Sequence, residues 1–117
     1  MRMTPEDRKY FAGKMHRLAD HFNRTTGKWA HENKMKKPED RGFTPRQKAS
    51  AARRLKKLDS LIEEFYACGY SRLQWNRLLE VSGVEEKMDK YGLGGAYYIP
   101  TDKWMNNFLK KHGPGAG

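Results

Sequence analysis

Residues 44–69 read TPRQKASAARRLKKLDSLIEEFYACG, and this stretch decides the fold. Thr44-Pro45 is a helix start: a hydroxyl able to cap, then a ring already fixed at helical φ. Gly69 is a helix stop, because a left-handed residue there closes the last turn without a Cβ clash. Between them Leu55, Leu58, Leu61, Ile62 and Phe65 recur at helical spacing and predict one buried face. A long helix of this kind needs other helices to cover that face. The chain is therefore expected to be all-α or mainly α, a small helical domain of three to five helices.

The same stretch is charged against its own dipole. Its first half holds Arg46, Lys48, Arg53, Arg54, Lys56 and Lys57 with no acid, and its second half holds Asp59, Glu63 and Glu64. A charge in a terminal turn gains about 0.3–1 kcal/mol from the reverse order. Helix stability does not account for the pattern, whereas a polyanionic partner does. The asymmetry extends to the whole chain. Residues 1–57 carry 17 Lys/Arg against 6 Asp/Glu, residues 58–117 carry 7 against 8, and the formal net charge is +10. Cations confined to one stretch point to a partner, since evenly spread charge serves solubility equally well.

Toward the N-terminus, Thr4-Pro5-Glu6-Asp7 opens a first helix, and Phe11, Met15, Leu18 and Phe22 form its stripe at spacings of 4, 3 and 4. Thr25-Thr26-Gly27 ends it. Residues 28–43 are polar and read as a loop with one short helical piece near 28–36. Toward the C-terminus, Ser71 and Gln74 form a capping box for a third helix. Leu73, Leu78 and Leu79 make its apolar contacts, with Trp75 at the margin, and Ser82-Gly83 closes it. Val84 to Lys90 is either a further helical turn or part of a short hairpin or wing over 84–99, with strand character at Ala96-Tyr97-Tyr98-Ile99. Thr101 caps a last helix containing Trp104, Met105, Phe108 and Leu109. The expected core is Phe11, Met15, Leu18, Phe22, Leu55, Leu58, Ile62, Phe65, Leu78, Trp104 and Phe108. Residues 1–112 then make a single helical domain and 113–117 a disordered tail.

Two constellations carry a functional expectation. Lys28, Lys34, Lys36, Lys37, Arg46, Arg53, Arg54, Lys56 and Lys57 form a basic face for gripping phosphates. Trp29 and Phe43 lie among them, either stacking on unpaired bases or pinning the loop to the core. The second constellation is the turn over 61–81, which resembles a helix-turn-helix unit across about 20 residues. In that arrangement Arg72, Gln74, Asn76 and Arg77 face the groove, where Arg reads guanine and Asn or Gln reads adenine. The sequence departs from the pattern at Phe65, where a small residue normally lets the helices approach, and an ordinary αα-corner is the alternative. The leading expectation is a non-enzymatic nucleic-acid-binding protein, with DNA ahead of RNA. The competing one is a small protein-binding regulator or inhibitor, of the phage or mobile-element type, docking on an acidic protein or nucleoprotein surface. The stripe on the first helix serves equally for packing within the domain and for a homodimer.

Other chemistries find little support. His16, His21, His31 and His112 lack metal-ligand spacing, so no metal is expected. Cys68 stands alone, which rules out an internal disulfide, fits a reducing cytoplasmic compartment, and reads as a small buried apolar residue. Glu63-Glu64 and Glu85-Glu86 diverge on a helix and make no acid/base pair. Gly92-Leu93-Gly94-Gly95 lacks the Lys-Ser/Thr of a phosphate loop, so no nucleotide cofactor is expected. No apolar run approaches the ~18 residues of a membrane span, and the first residues contain no secretory h-region.

Overall fold

The computed structural model describes residues 1–91, in which five α-helices follow one another. They are α1 (Pro5–Arg24), α2 (Thr26–Lys34), α3 (Pro45–Ala67), α4 (Arg72–Val81) and α5 (Val84–Met88), with a 3-10 turn over Pro38–Asp40. There is no strand among the described residues, and the fold is all-α as the patterning predicts. Residues 84–88 take the helical alternative, because Val84 and Met88, one turn apart, are both buried. The expected strand-like run at 96–99, the last helix with Trp104 and Phe108, and the 113–117 tail lie outside the described residues.

Helix boundaries follow from named hydrogen bonds. The Thr4 hydroxyl accepts from the Asp7 amide at 3.1 Å. Thr44 and Gln47 form a full capping box at the start of α3, and Ser71 and Gln74 form another at the start of α4. Gly69, at φ +91°, supplies the left-handed residue just past α3. A single residue, Thr25, separates α1 from α2, and its hydroxyl donates to the His21 carbonyl at 2.6 Å. Thr25-Thr26-Gly27 therefore ends one helix and begins the next, so the short helical piece expected near 28–36 starts at Thr26 and follows α1 without a loop. Gly27 permits the fold-back: a Cβ there would meet the Phe22 ring at 3.0 Å and the Phe22 carbonyl oxygen at 3.2 Å.

The centre of the core is aromatic. Phe65 is fully buried, edge-on to Phe11 at 5.1 Å and to Trp75 at 5.0 Å, and tilted against Tyr70 at 5.1 Å. Met15, Ala19 and Phe22 of α1, Leu61 and Ile62 of α3, Leu78 and Leu79 of α4, and Val84 and Met88 of α5 surround it. α1 touches each of the other four helices. Polar ties reinforce the packing. The Tyr70 hydroxyl donates to Asp7 Oδ2 at 2.5 Å and accepts from the Thr4 amide at 3.3 Å. Asn23 Nδ2 donates to the Lys87 carbonyl at 2.8 Å, and His16 Nε2 donates to the Ser82 carbonyl at 2.9 Å.

Three apolar positions depart from expectation. Leu55 and Leu73, read as core-facing, are 49% and 74% exposed, whereas Trp75, read as marginal, is 1% exposed. The reason is reach: the buried apolar residues of α3 are Leu61, Ile62 and Phe65, all in its C-terminal half, so Leu55 lies beyond its partners. Leu18 and Leu58 are partly buried against the same cluster. No helix among the described residues is long and apolar enough to cross a membrane. Truncating Phe65 to Ala is expected to cost about 3–5 kcal/mol in urea unfolding, as for other buried aromatics. Leu73→Ala should stay within about 0.5 kcal/mol, like other surface changes.

Candidate nucleic-acid interface

The first half of α3 stands clear of the core. Among its residues 45–57 the only buried side chain is Arg54. Arg46, Lys48, Arg53, Lys56 and Lys57 are all exposed, and the segment contains no acid. It is a rod about 20 Å long at 1.5 Å per residue. At 3.6 residues per turn these five cations span about half of the circumference, from Lys48 on the far side round to Lys57, which borders the Leu61 and Phe65 stripe. Ala49 and Ala52, both exposed, lie near the middle of that basic arc with Lys56.

The preceding segment adds four cations, Lys28 and Lys34 on α2 and Lys36 and Lys37 in the fixed loop after it. Lys28, Lys34, Lys36 and Lys37 are exposed. The loop is strapped to the end of α2 at two points. Asn33 and Gly42 exchange hydrogen bonds, Nδ2 to the Gly42 carbonyl at 3.0 Å and the Gly42 amide to Oδ1 at 3.1 Å. Arg41 donates from Nε to the Lys36 carbonyl at 3.1 Å and from Nη2 to the Lys34 carbonyl at 3.2 Å. A guanidinium on the last carbonyls also suits the negative end of α2. Asn33 was not singled out from sequence, where its polar character reads as generic surface until the chain turns back on itself; Arg41, a cation of the basic stretch 24–57, is engaged in holding the loop.

Arg54 is placed differently from its neighbours. It is 7% exposed, donates from Nη1 to the Ser50 hydroxyl at 2.6 Å and from Nη2 to the Thr26 hydroxyl, and lies 5.6 Å over the Trp29 ring. Burial, and then the adjacent Arg53, lower its pKa from the ordinary arginine range. This corrects its assignment to the exposed basic face: Arg54 joins α3 to α2 from inside. The signal was present, since 54, 58, 61 and 65 share one stripe at spacings of 4, 3 and 4. The same contact makes Trp29 an internal platform for a cation. Phe43 remains at the surface.

The four residues expected to read bases separate. Gln74 is committed at both ends: its Oε1 accepts from the Ser71 amide at 2.8 Å and its Nε2 donates to the Met1 carbonyl at 2.5 Å. Arg72 is half-buried, while Asn76 and Arg77 are exposed. α4 packs principally on α1 and α5, and the Phe65 ring meets Trp75 in the space between α3 and α4. That is the consequence of a large residue where a helix-turn-helix unit carries a small one.

Other titratable groups have structural explanations. Cys68, expected to be buried, is exposed at the C-cap of α3. Desolvation of the thiol, then Asp7 and Glu64, raise its pKa, the opposite of what activates a nucleophile. Asp20 pairs with Lys87 at 2.8 Å, which lowers the Asp20 pKa. That pair lies in an open depression of about 580 Å³ that also takes Arg24, Glu86 and Lys90, so its charges are mixed. Among the described residues no three His, Cys, Asp or Glu side chains converge as metal ligands. Comparison of the chain with protein-family models, curated proteins and solved structures finds no match.

His21 is half-buried, and its pKa is lowered from 6.5, first by burial and then by Arg54, Arg24 and Lys57. A histidine with a depressed folded pKa binds fewer protons than its unfolded counterpart. Stability should therefore be full above pH 6.5 and fall as pH drops from there through the folded value. His21→Gln is expected to flatten that part of a thermal-unfolding series taken between about pH 7.5 and 5.

Proposed function

We propose that this chain binds nucleic acid, duplex DNA ahead of RNA, through the first half of α3, with Lys28, Lys34, Lys36 and Lys37 adding contacts to the phosphate backbone. The observation that carries the reading is the exposure of Arg46, Lys48, Arg53, Lys56 and Lys57 on a helical segment that buries almost nothing of its own. An α-helix is about 10–12 Å across with its side chains, and the major groove of B-DNA is about 12 Å wide. The deep, narrow major groove of A-form RNA does not admit one. Cations on both flanks of the segment suit the two phosphate walls of a groove. Ala49 and Ala52 between them leave little bulk between the helix and the base edges. Asn76 and Arg77 on α4 are the remaining candidates for a second contact. The Trp29 face taken by Arg54 is closed to base stacking, which weighs against unpaired strands as the main target.

Docking on an acidic protein or nucleoprotein surface is the competing reading. It draws on Leu55, an apolar side chain 49% exposed in the same basic segment.

Fluorescence anisotropy on a labelled duplex across 50–200 mM salt tests the proposal. The five cations of α3 alone predict a log–log salt slope of about −4 to −5, and the four lysines take it to about −8 when all of them contact phosphate. Arg53→Glu with Lys56→Glu should reduce that slope by about 2 and weaken binding at least tenfold at ~100 mM salt. Absence of binding at ~50 mM salt, or binding without a slope, rejects it. A partner that survives nuclease in a pull-down, together with no binding to duplex, favours the protein-docking reading instead.

A further inference from the structure

We infer that the junction of α1, α2 and α3 is a seat for one phosphate group, with His21, Arg24 and Lys57 at its rim, the opening turn of α2 at its side and the buried Arg54 beneath. The inference rests on the nucleic-acid reading for the source of that phosphate, while the seat itself rests on local geometry.

Arg54 is the first ground. A buried guanidinium is normally matched by a carboxylate, because a charge removed from water is costly unless compensated. Here the partners are two hydroxyls and an aromatic face, none of which carries a negative charge. Its Nε is buried and has no hydrogen-bond partner among the described residues. Among those residues no acid acts on the Arg54 charge; the group that does is another cation, Arg53.

The surroundings are the second ground. Arg54 touches Thr26, the first residue of α2, where the positive end of that helix meets the negative end of α1, so the helix ends supply no net counter-charge. This opening turn has no side-chain cap, since the Thr25 hydroxyl is turned to the His21 carbonyl. Uncapped amides at a helix start are ready donors for an anion. The charged groups facing His21 are Arg24 from its own helix and Arg54 and Lys57 from α3, again without an acid. Arg24 and Lys57 are exposed, so the rim is open to solvent. Cations drawn from two helices, with uncapped amides and, among the described residues, an acid near Arg24 alone (Asp20), are what a phosphate oxygen cluster neutralises.

The test uses the full chain and inorganic phosphate, titrated at constant ionic strength against chloride. Thermal unfolding and the His21 imidazole resonances are followed together. Phosphate at ~10 mM should raise the unfolding midpoint by about 3–6 °C, and matched chloride should not. The His21 pKa should rise as the added anion offsets its cationic neighbours. Arg24→Gln with Lys57→Gln alters only exposed side chains and should weaken the phosphate response about tenfold or more. Arg54→Met should abolish it, and if that variant fails to fold the double rim variant decides. A duplex that displaces phosphate identifies the backbone as the source, and one that does not identifies free phosphate; the seat stands in both cases. A phosphate effect equal to that of chloride, or one unchanged in the rim variant, overturns the seat. If duplex binding with its salt slope then persists, only the seat is lost. If phosphate binds and no nucleic acid does, only the functional reading is lost.

Discussion

The packing of Phe65 against Phe11, Tyr70 and Trp75 is the contact on which the rest of the molecule depends. It ties the C-terminal half of α3 to α1 and α4 in one aromatic cluster. Because apolar burial on α3 is confined to that half, the other half is left as a helical arm directed away from the core. Aromatic burial thus sets which part of α3 is structural and which part is free to meet a partner. A smaller residue at 65 would let α4 close on α3 and would change both.

Much of this was legible in the sequence. Thr4, Thr44, Ser71 and Gly69 mark helix ends by mechanisms that act within a few residues, so they survive the move from sequence to structure. The stripe Phe11, Met15, Phe22 is likewise a local regularity. Most of the failures share a cause: they depend on residues distant in the chain. α2 was legible only as a short helical piece near 28–36; its start at Thr26 and its packing on α1 depend on Gly27 and Ala30 being small enough to be buried. Leu55 has the right residue type but lies beyond the buried half of α3, while Leu73 falls on the face of α4 opposite Trp75, Leu78 and Leu79. Arg54 lies on the apolar stripe of α3, yet its charge argued for the surface. Trp29 and Thr26 on another helix are what make its burial tolerable.

Two kinds of positive charge therefore coexist. The exposed cations of α3 are surrounded by water, where repulsion between them is weak and screened by salt over about 8–10 Å. They tune encounter with a polyanion at little cost to folding. Arg54 is in a less polar setting, where the same unit charge has far greater leverage on its neighbours. Its influence extends to His21, whose proton affinity is lowered first by burial and then by Arg54, Arg24 and Lys57. Arg24 and Lys57 couple the two populations.

α3 is one uninterrupted helix with two very different local stabilities. Its C-terminal half is held by the core, so its amides open only when the domain does. Its first three turns are held by the capping box at Thr44 and Gln47 and by Arg54. Hydrogen exchange along α3 should thus run as a gradient, fast at the basic end and slow at Phe65, with no break in the helix to mark the boundary. A partner that grips the basic end binds the least protected stretch of the helix and, by ordering it, would carry that protection outward along the rod.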